Sequence, residues 1–147
     1  MAAIQRTAQA IWEGDLARGA GWLSGASAVL QRLPYSLAGR IGSVEEETNP
    51  EELLAAAHSG CFAMALTNVL SQAGTPPERL TVSATCTLDE VEGVGRRIVA
   101  SDLVVRGEVP GVDAEAFASA ASAADERCPF SALIRASGRV SVDATLV

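Results

Sequence analysis

The chain has 147 residues, 48% of them hydrophobic, with a net charge of −7, a pI near 4.6 and a mean hydropathy of +0.22. An acidic chain offers no field to attract phosphate backbones or anionic lipid, which argues against nucleic acid and membrane surfaces as partners. The opening Met1-Ala2-Ala3-Ile4-Gln5-Arg6 lacks the apolar core of a secretory signal, and no uninterrupted apolar run reaches bilayer length, so a cytoplasmic protein is expected.

In that reducing compartment three cysteines, an odd count, do not read as a permanent disulfide framework. One histidine and scattered cysteines show none of the close spacings of a zinc site, so no metal is expected.

The first forty residues alternate as strands do, over Ile4 to Trp12, Ala20 to Ser24 and Val29 to Arg40, which predicts an antiparallel meander. An acidic loop, Glu45-Glu46-Glu47, then leads into Thr48-Asn49-Pro50-Glu51-Glu52. Pro50 suits a first helical turn, Asn49 or Thr48 can cap the free amides, and the two glutamates lie at the positive end of the dipole. The helix continues through Leu53 to Leu70 and stops near Ala73-Gly74, ahead of Pro76-Pro77. Two longer strands follow, Leu80 to Leu88 and Arg96 to Val109, joined by the turn Glu92-Gly93-Val94-Gly95. Asp113 caps an alanine-rich helix to about Ala124, a short helix starts at Pro129, and Arg139 to Val147 alternates as a last strand. Strands grouped with inserted helices predict one α+β domain over residues 1–147, with helices packed on antiparallel sheet.

The long helix is apolar around most of its circumference, so it must be covered on nearly all sides. A chain of 147 residues has little material for that, and a second copy is the simplest cover. An obligate homodimer with this helix at or near its interface is therefore expected.

Cys61 lies in the middle of this helix, and Cys128 precedes Pro129 far downstream. Thiol reactivity follows the thiolate, which needs positive charge or a helix N-terminus. On local physics Cys128, at the head of a helix, is the more easily ionised. Desolvation among alanines raises the pKa of Cys61 unless a cation stands against it. Arg40, before the loop into the helix, is the foremost source of that charge, with Arg18 as its rival. Glu51 can anchor such an arginine, yet it precedes Cys61 by ten residues, about 15 Å of helix. One chain does not bring them together readily, so Glu51 and its arginine are expected from the other subunit. His58 shares a helical face with Cys61 and reads as a packed, hydrogen-bonded residue ahead of a Cys–His nucleophile pair. Cys86 reads as packing, and Phe62 and Met64 as core residues that can also line an apolar substrate pocket.

Four segments occur in order: Trp12-Glu13-Gly14-Asp15, Thr48-Asn49-Pro50-Glu51-Glu52-Leu53, Ala56-Ala57-His58-Ser59-Gly60-Cys61-Phe62 and Val109-Pro110-Gly111-Val112-Asp113. With these, and with Cys128-Pro129 behind them, the chain resembles the OsmC/Ohr organic hydroperoxide reductases nearly end to end. The resemblance implies an intertwined α+β homodimer, with antiparallel sheets around a long central helix and two interfacial active sites. It implies that Cys61 is the peroxidatic thiol and Cys128 the resolving one, the reverse of the local expectation. It also matches Arg40 to the OsmC branch's arginine and Glu51 to its carboxylate partner, whereas Ohr relatives place their arginine nearer Arg18. The implied cycle uses an organic hydroperoxide and a thiol or lipoyl-type dithiol reductant, with no cofactor. The alternative function is a non-catalytic binding or redox-sensing module for a hydrophobic thiol or acyl ligand.

Overall fold

The computed structural model describes residues 1–42 and 45–147. Contacts gather into two compact units, Met1–Pro50 and Glu51–Val147, each with its own sheet.

In the first unit, β1 (Ala8–Glu13), β2 (Ala20–Gly25) and β3 (Leu33–Tyr35) form the expected antiparallel meander. Its third strand is only three residues long, and the chain then turns into α1 (Leu37–Ile41). Two local events cut the expected Val29–Arg40 strand short. Arg32 adopts a left-handed φ of 49°, held by its N–H donating to Ser24 Oγ at 3.0 Å and by its guanidinium lying 4.7 Å from the Trp22 ring centre. Ser36 then caps α1 by accepting from the Gly39 N–H at 3.0 Å. Arg40 therefore sits in the last turn of a short helix, not at a strand end.

The second unit comprises most of α2 (Pro50–Gln72), then β4 (Arg79–Val91), β5 (Gly95–Glu108), α3 (Ala114–Arg127), α4 (Pro129–Arg135) and β6 (Arg139–Leu146). Helix α2 ends where the glycine predicts. Gly74 takes φ 79°, its N–H donates to Ser71 O, and the Thr75 N–H donates to Leu70 O, which satisfies the last carbonyls. β4 and β5 pair antiparallel across the turn that holds Gly93 and Gly95, both at positive φ. β6 departs from the antiparallel expectation and runs parallel to β5. Its connection is the α3–α4 crossover, and a crossover returns the chain in the same direction where a tight hairpin reverses it.

One sheet face carries Leu80, Val82, Ala84, Leu103, Val105, Val140, Val142 and Ala144, which join the core with Phe62, Leu66, Leu70, Phe117 and Ala121. The residues alternating with them on β4 and β6, from Thr81 to Thr87 and from Arg139 to Thr145, are exposed. Gly107 lies under the Phe117 ring, too close for any side chain there. Helix α2 buries a single stripe, His58, Phe62, Leu66 and Leu70, spaced four residues apart. Its other residues are half-buried or exposed in the single chain, and Met64, expected in the core, is 76% exposed. By length and composition α2 is long and apolar enough to cross a membrane, which corrects the view that no segment is. The polar residues that interrupt its apolar run do not lower its average enough to prevent this, yet its buried stripe, histidine included, packs into the core.

Candidate active site

Cys61 lies beside the buried stripe of α2, half-buried against the core. Cys128 ends α3 and opens α4, and it is fully enclosed at 1% exposure. Both are free thiols, and they are neighbours. Burial, first, and then the Cys128 thiol beside it push the Cys61 thiol above its ordinary value; the backbone amide of Phe130 pulls the other way. The rise at Cys61 is the one that burial among alanines predicts. Cys128 makes no side-chain capping bond at the head of α4. Pro129 has no N–H to offer, and the first-turn amide that reaches a sulfur, that of Phe130, acts on Cys61.

His58, one turn before Cys61, is completely buried. Its Nδ1 bonds Ser101 Oγ at 2.7 Å on β5, and its Nε2 bonds Ser131 Oγ at 2.9 Å on α4. Burial holds the imidazole below its usual pKa, Asp125 raises it and Arg135 lowers it. Those two side chains are ion-paired with each other. With both ring nitrogens occupied by serines, His58 is a packed, oriented histidine and not a base for Cys61. Cys86 pairs across the sheet with Ser101, and its thiol donates to that hydroxyl at 3.5 Å.

Within the first unit, Arg40 is exposed on α1. That helix is tied down by Glu47, whose carboxylate accepts from Ser36 Oγ and lies so close to Gly39 that any side chain there would collide with it. Arg18 is 89% exposed in the β1–β2 turn and pairs locally with Asp15 at 3.5 Å. Glu51 stands in the first turn of α2, remote along the helix from Cys61. Phe62 is wholly enclosed and has no surface for a ligand in the single chain. Met64 instead lines a shallow groove of about 410 Å³ with Ala63, Thr67, Asn68 and Ser71.

The sequence model of the OsmC-like protein family matches residues 43–143. Peroxiredoxin OsmC of Escherichia coli is 41% identical over 133 residues, covering 90% of this chain and 92% of that one. This chain belongs to the OsmC-like family. An organic hydroperoxide resistance protein of Xanthomonas axonopodis is 31% identical over 107 residues, 71% of this chain and 70% of the relative. The crystal structure of the organic hydroperoxide resistance protein OhrB of Bacillus subtilis superposes with a TM-score of 0.70 at 28% identity, covering 96% of this chain and 98% of that one. An OsmC protein of Legionella pneumophila shares the fold with a TM-score of 0.75 at 22% identity, covering 99% and 98%.

Three groups at this OsmC-like site escape a reading by residue type: the Phe130 amide, Ser101 and Ser131. A main-chain donor leaves no trace in side-chain identity. Ser101 does leave one, because it is a polar residue at an inward position of a strand whose next inward residues are Leu103 and Val105.

Proposed function

We propose that this chain is a thiol-dependent peroxidase that reduces organic hydroperoxides to alcohols, with hydrogen peroxide a poorer substrate. The observation that carries the reading is the neighbouring pair of free thiols, Cys61 and Cys128, on two segments that the His58–Ser131 bond also joins. The named activities of the relatives point the same way. The Cys61 thiolate attacks the distal peroxide oxygen and the O–O bond breaks. The alkoxide leaves and takes up a proton, and Cys61 keeps the sulfenic oxygen. Cys128 then displaces that oxygen as water and closes a Cys61–Cys128 disulfide. A thiol or lipoyl-type dithiol reopens it by exchange.

Burial raises the Cys61 pKa in the single chain, so the thiolate needs a cation. We assign that role to Arg40, anchored by Glu51 and delivered in a homodimer whose interface covers the open faces of α2. Arg18, in the β1–β2 turn beside Asp15, is the alternative source of that charge. Met64 offers apolar contact to a bulky substrate, and Phe62 backs that wall from the core. The cycle draws on no metal or organic cofactor, and it belongs in a reducing cytoplasm that resupplies thiols, with residues 1–147 acting as one domain.

Titration with cumene hydroperoxide tests the reading. Catalytic alcohol production with a dithiol reductant, lost in Cys61→Ser, supports it. Thiol oxidation without turnover leaves the redox-sensing module, and no oxidation of either cysteine abandons both.

A further inference from the structure

The two thiols do not form the only bridge between α2 and the head of α4. His58 precedes Cys61 by three residues, and Ser131 follows Cys128 by three, so the His58–Ser131 bond and the Cys61–Cys128 contact are consecutive rungs between the two segments. The α4 end of this ladder is also held by the Cys128 N–H donating to Asp125 O at 3.3 Å and by the Arg135–Asp125 ion pair, yet among the described residues no other side chain of its first turn makes a hydrogen bond. Helix α4 has seven residues, Cys128 gives it no side-chain cap, and Pro129 has no N–H to donate. The far end is anchored, because the other nitrogen of the same ring bonds Ser101 in the middle of β5. His58, Ser101 and Ser131 are each 0% exposed, so no water competes for these bonds and a broken one leaves an unpaired buried group.

We propose that His58 is a positioning residue for the resolving step: through Ser131 it holds the first turn of α4, and so the Cys128 sulfur, within reach of oxidised Cys61. A neutral imidazole suits the task, since one nitrogen donates while the other accepts, and the serine hydroxyls rotate to match either tautomer. Attack of Cys61 on the hydroperoxide does not call on Cys128. Loss of this rung therefore separates the two halves of the cycle, which loss of general packing does not.

The proposal rests on the peroxidase reading, and the test keeps the two apart. Wild type, Ser131→Ala and Ser101→Ala are mixed with cumene hydroperoxide, and dimedone-trapped Cys61 sulfenic acid and the Cys61–Cys128 disulfide are followed by mass spectrometry. Both alanine variants delete one buried hydroxyl from the same imidazole, Ser101→Ala releasing the Cys86 thiol as well, so the stability of each is measured beside its rates. Ser131→Ala should form sulfenic acid at the wild-type rate but close the disulfide about 10- to 100-fold more slowly, the penalty of a misplaced reacting group. Ser101→Ala should close it far faster than Ser131→Ala does. Equal closure rates in wild type and Ser131→Ala, or equal slowing of both steps, overturn the proposal. A second arm uses diamide, which oxidises paired thiols without peroxide chemistry. If wild type forms no sulfenic acid, the peroxidase reading fails, and the diamide closure rates alone decide whether His58 positions Cys128. His58→Gln enters as a third variant where it folds, with the closure defect of Ser131→Ala expected.

Discussion

The Cys61 thiol, mid-helix on α2, lies beside the Cys128 thiol at the junction of α3 and α4, although Cys128 is closed to solvent. A disulfide between them needs the Cα atoms within about 7 Å, a demand that neighbouring thiols are placed to meet. Hydroperoxide should therefore remove two of the three titratable thiols, leaving Cys86. Thiol counting checks this. Cys128→Ser should stop at a trappable sulfenic acid, and Cys61→Ser should lose no thiols to the reagent.

Burial and the neighbouring Cys128 raise the Cys61 pKa, and the Phe130 amide offsets only part of this. If Arg40 supplies the missing charge, Arg40→Gln should shift the pH–rate profile of Cys61 alkylation to higher pH and slow the reaction at neutral pH. An unchanged profile removes Arg40 from the site. The sign on stability is separate. A thiol held above its ordinary value of 9.0 favours the folded state below that pH and loses the contribution as pH rises through the folded value.

For His58 the sign reverses. Its folded pKa lies below the usual 6.5, chiefly through desolvation. The unfolded chain therefore takes up the proton first, and stability should fall as pH drops from 6.5 through the folded value. Chemical denaturation at a series of pH values reads the slope. His58→Gln should flatten it, and an equal slope in that variant assigns acid lability elsewhere.

Phe62 and Met64 lie two residues apart on α2 and should behave as opposites. Phe62→Ala opens a cavity in the core and should cost about 3–5 kcal/mol of stability. Met64→Ser, on an open face, should change the stability of the single chain by no more than about 0.5 kcal/mol. Denaturant titration measures both. A matching large loss for Met64→Ser in a dilution-dependent unfolding experiment would place it inside the dimer interface, beyond the reach of substrate.

Sharing of the site between subunits has a direct assay. Mixed dimers of Cys61→Ser and Glu51→Ala chains should regain one intact site, about half of a wild-type dimer's turnover, since the Cys61 of one chain meets the Glu51 of the other. Turnover equal to the average of the two parent homodimers would show that each site uses its own Glu51.

The sequence by itself determined the elements that local chemistry controls. Proline, two glutamates and a closing glycine set the ends of α2 within a few residues, Asp113 opened α3, and strict alternation marked β4 and β6. The motif order carried the family, and a buried, bonded His58 could be expected from its place on an apolar helix. Four features were decided only in three dimensions. β6 runs parallel to β5 because a crossover of two helices leads into it. The meander's third strand stops at Tyr35 because a left-handed Arg32 and the Ser36 cap outweigh its alternation. Met64 is open because it lies on the side of α2 turned away from the buried stripe His58, Phe62, Leu66 and Leu70. The amide at the head of α4 serves Cys61 and not the cysteine beside it, because hydrogen bonds follow the direction of the N–H vector and the approach of a distant helix, neither of which adjacency in sequence specifies.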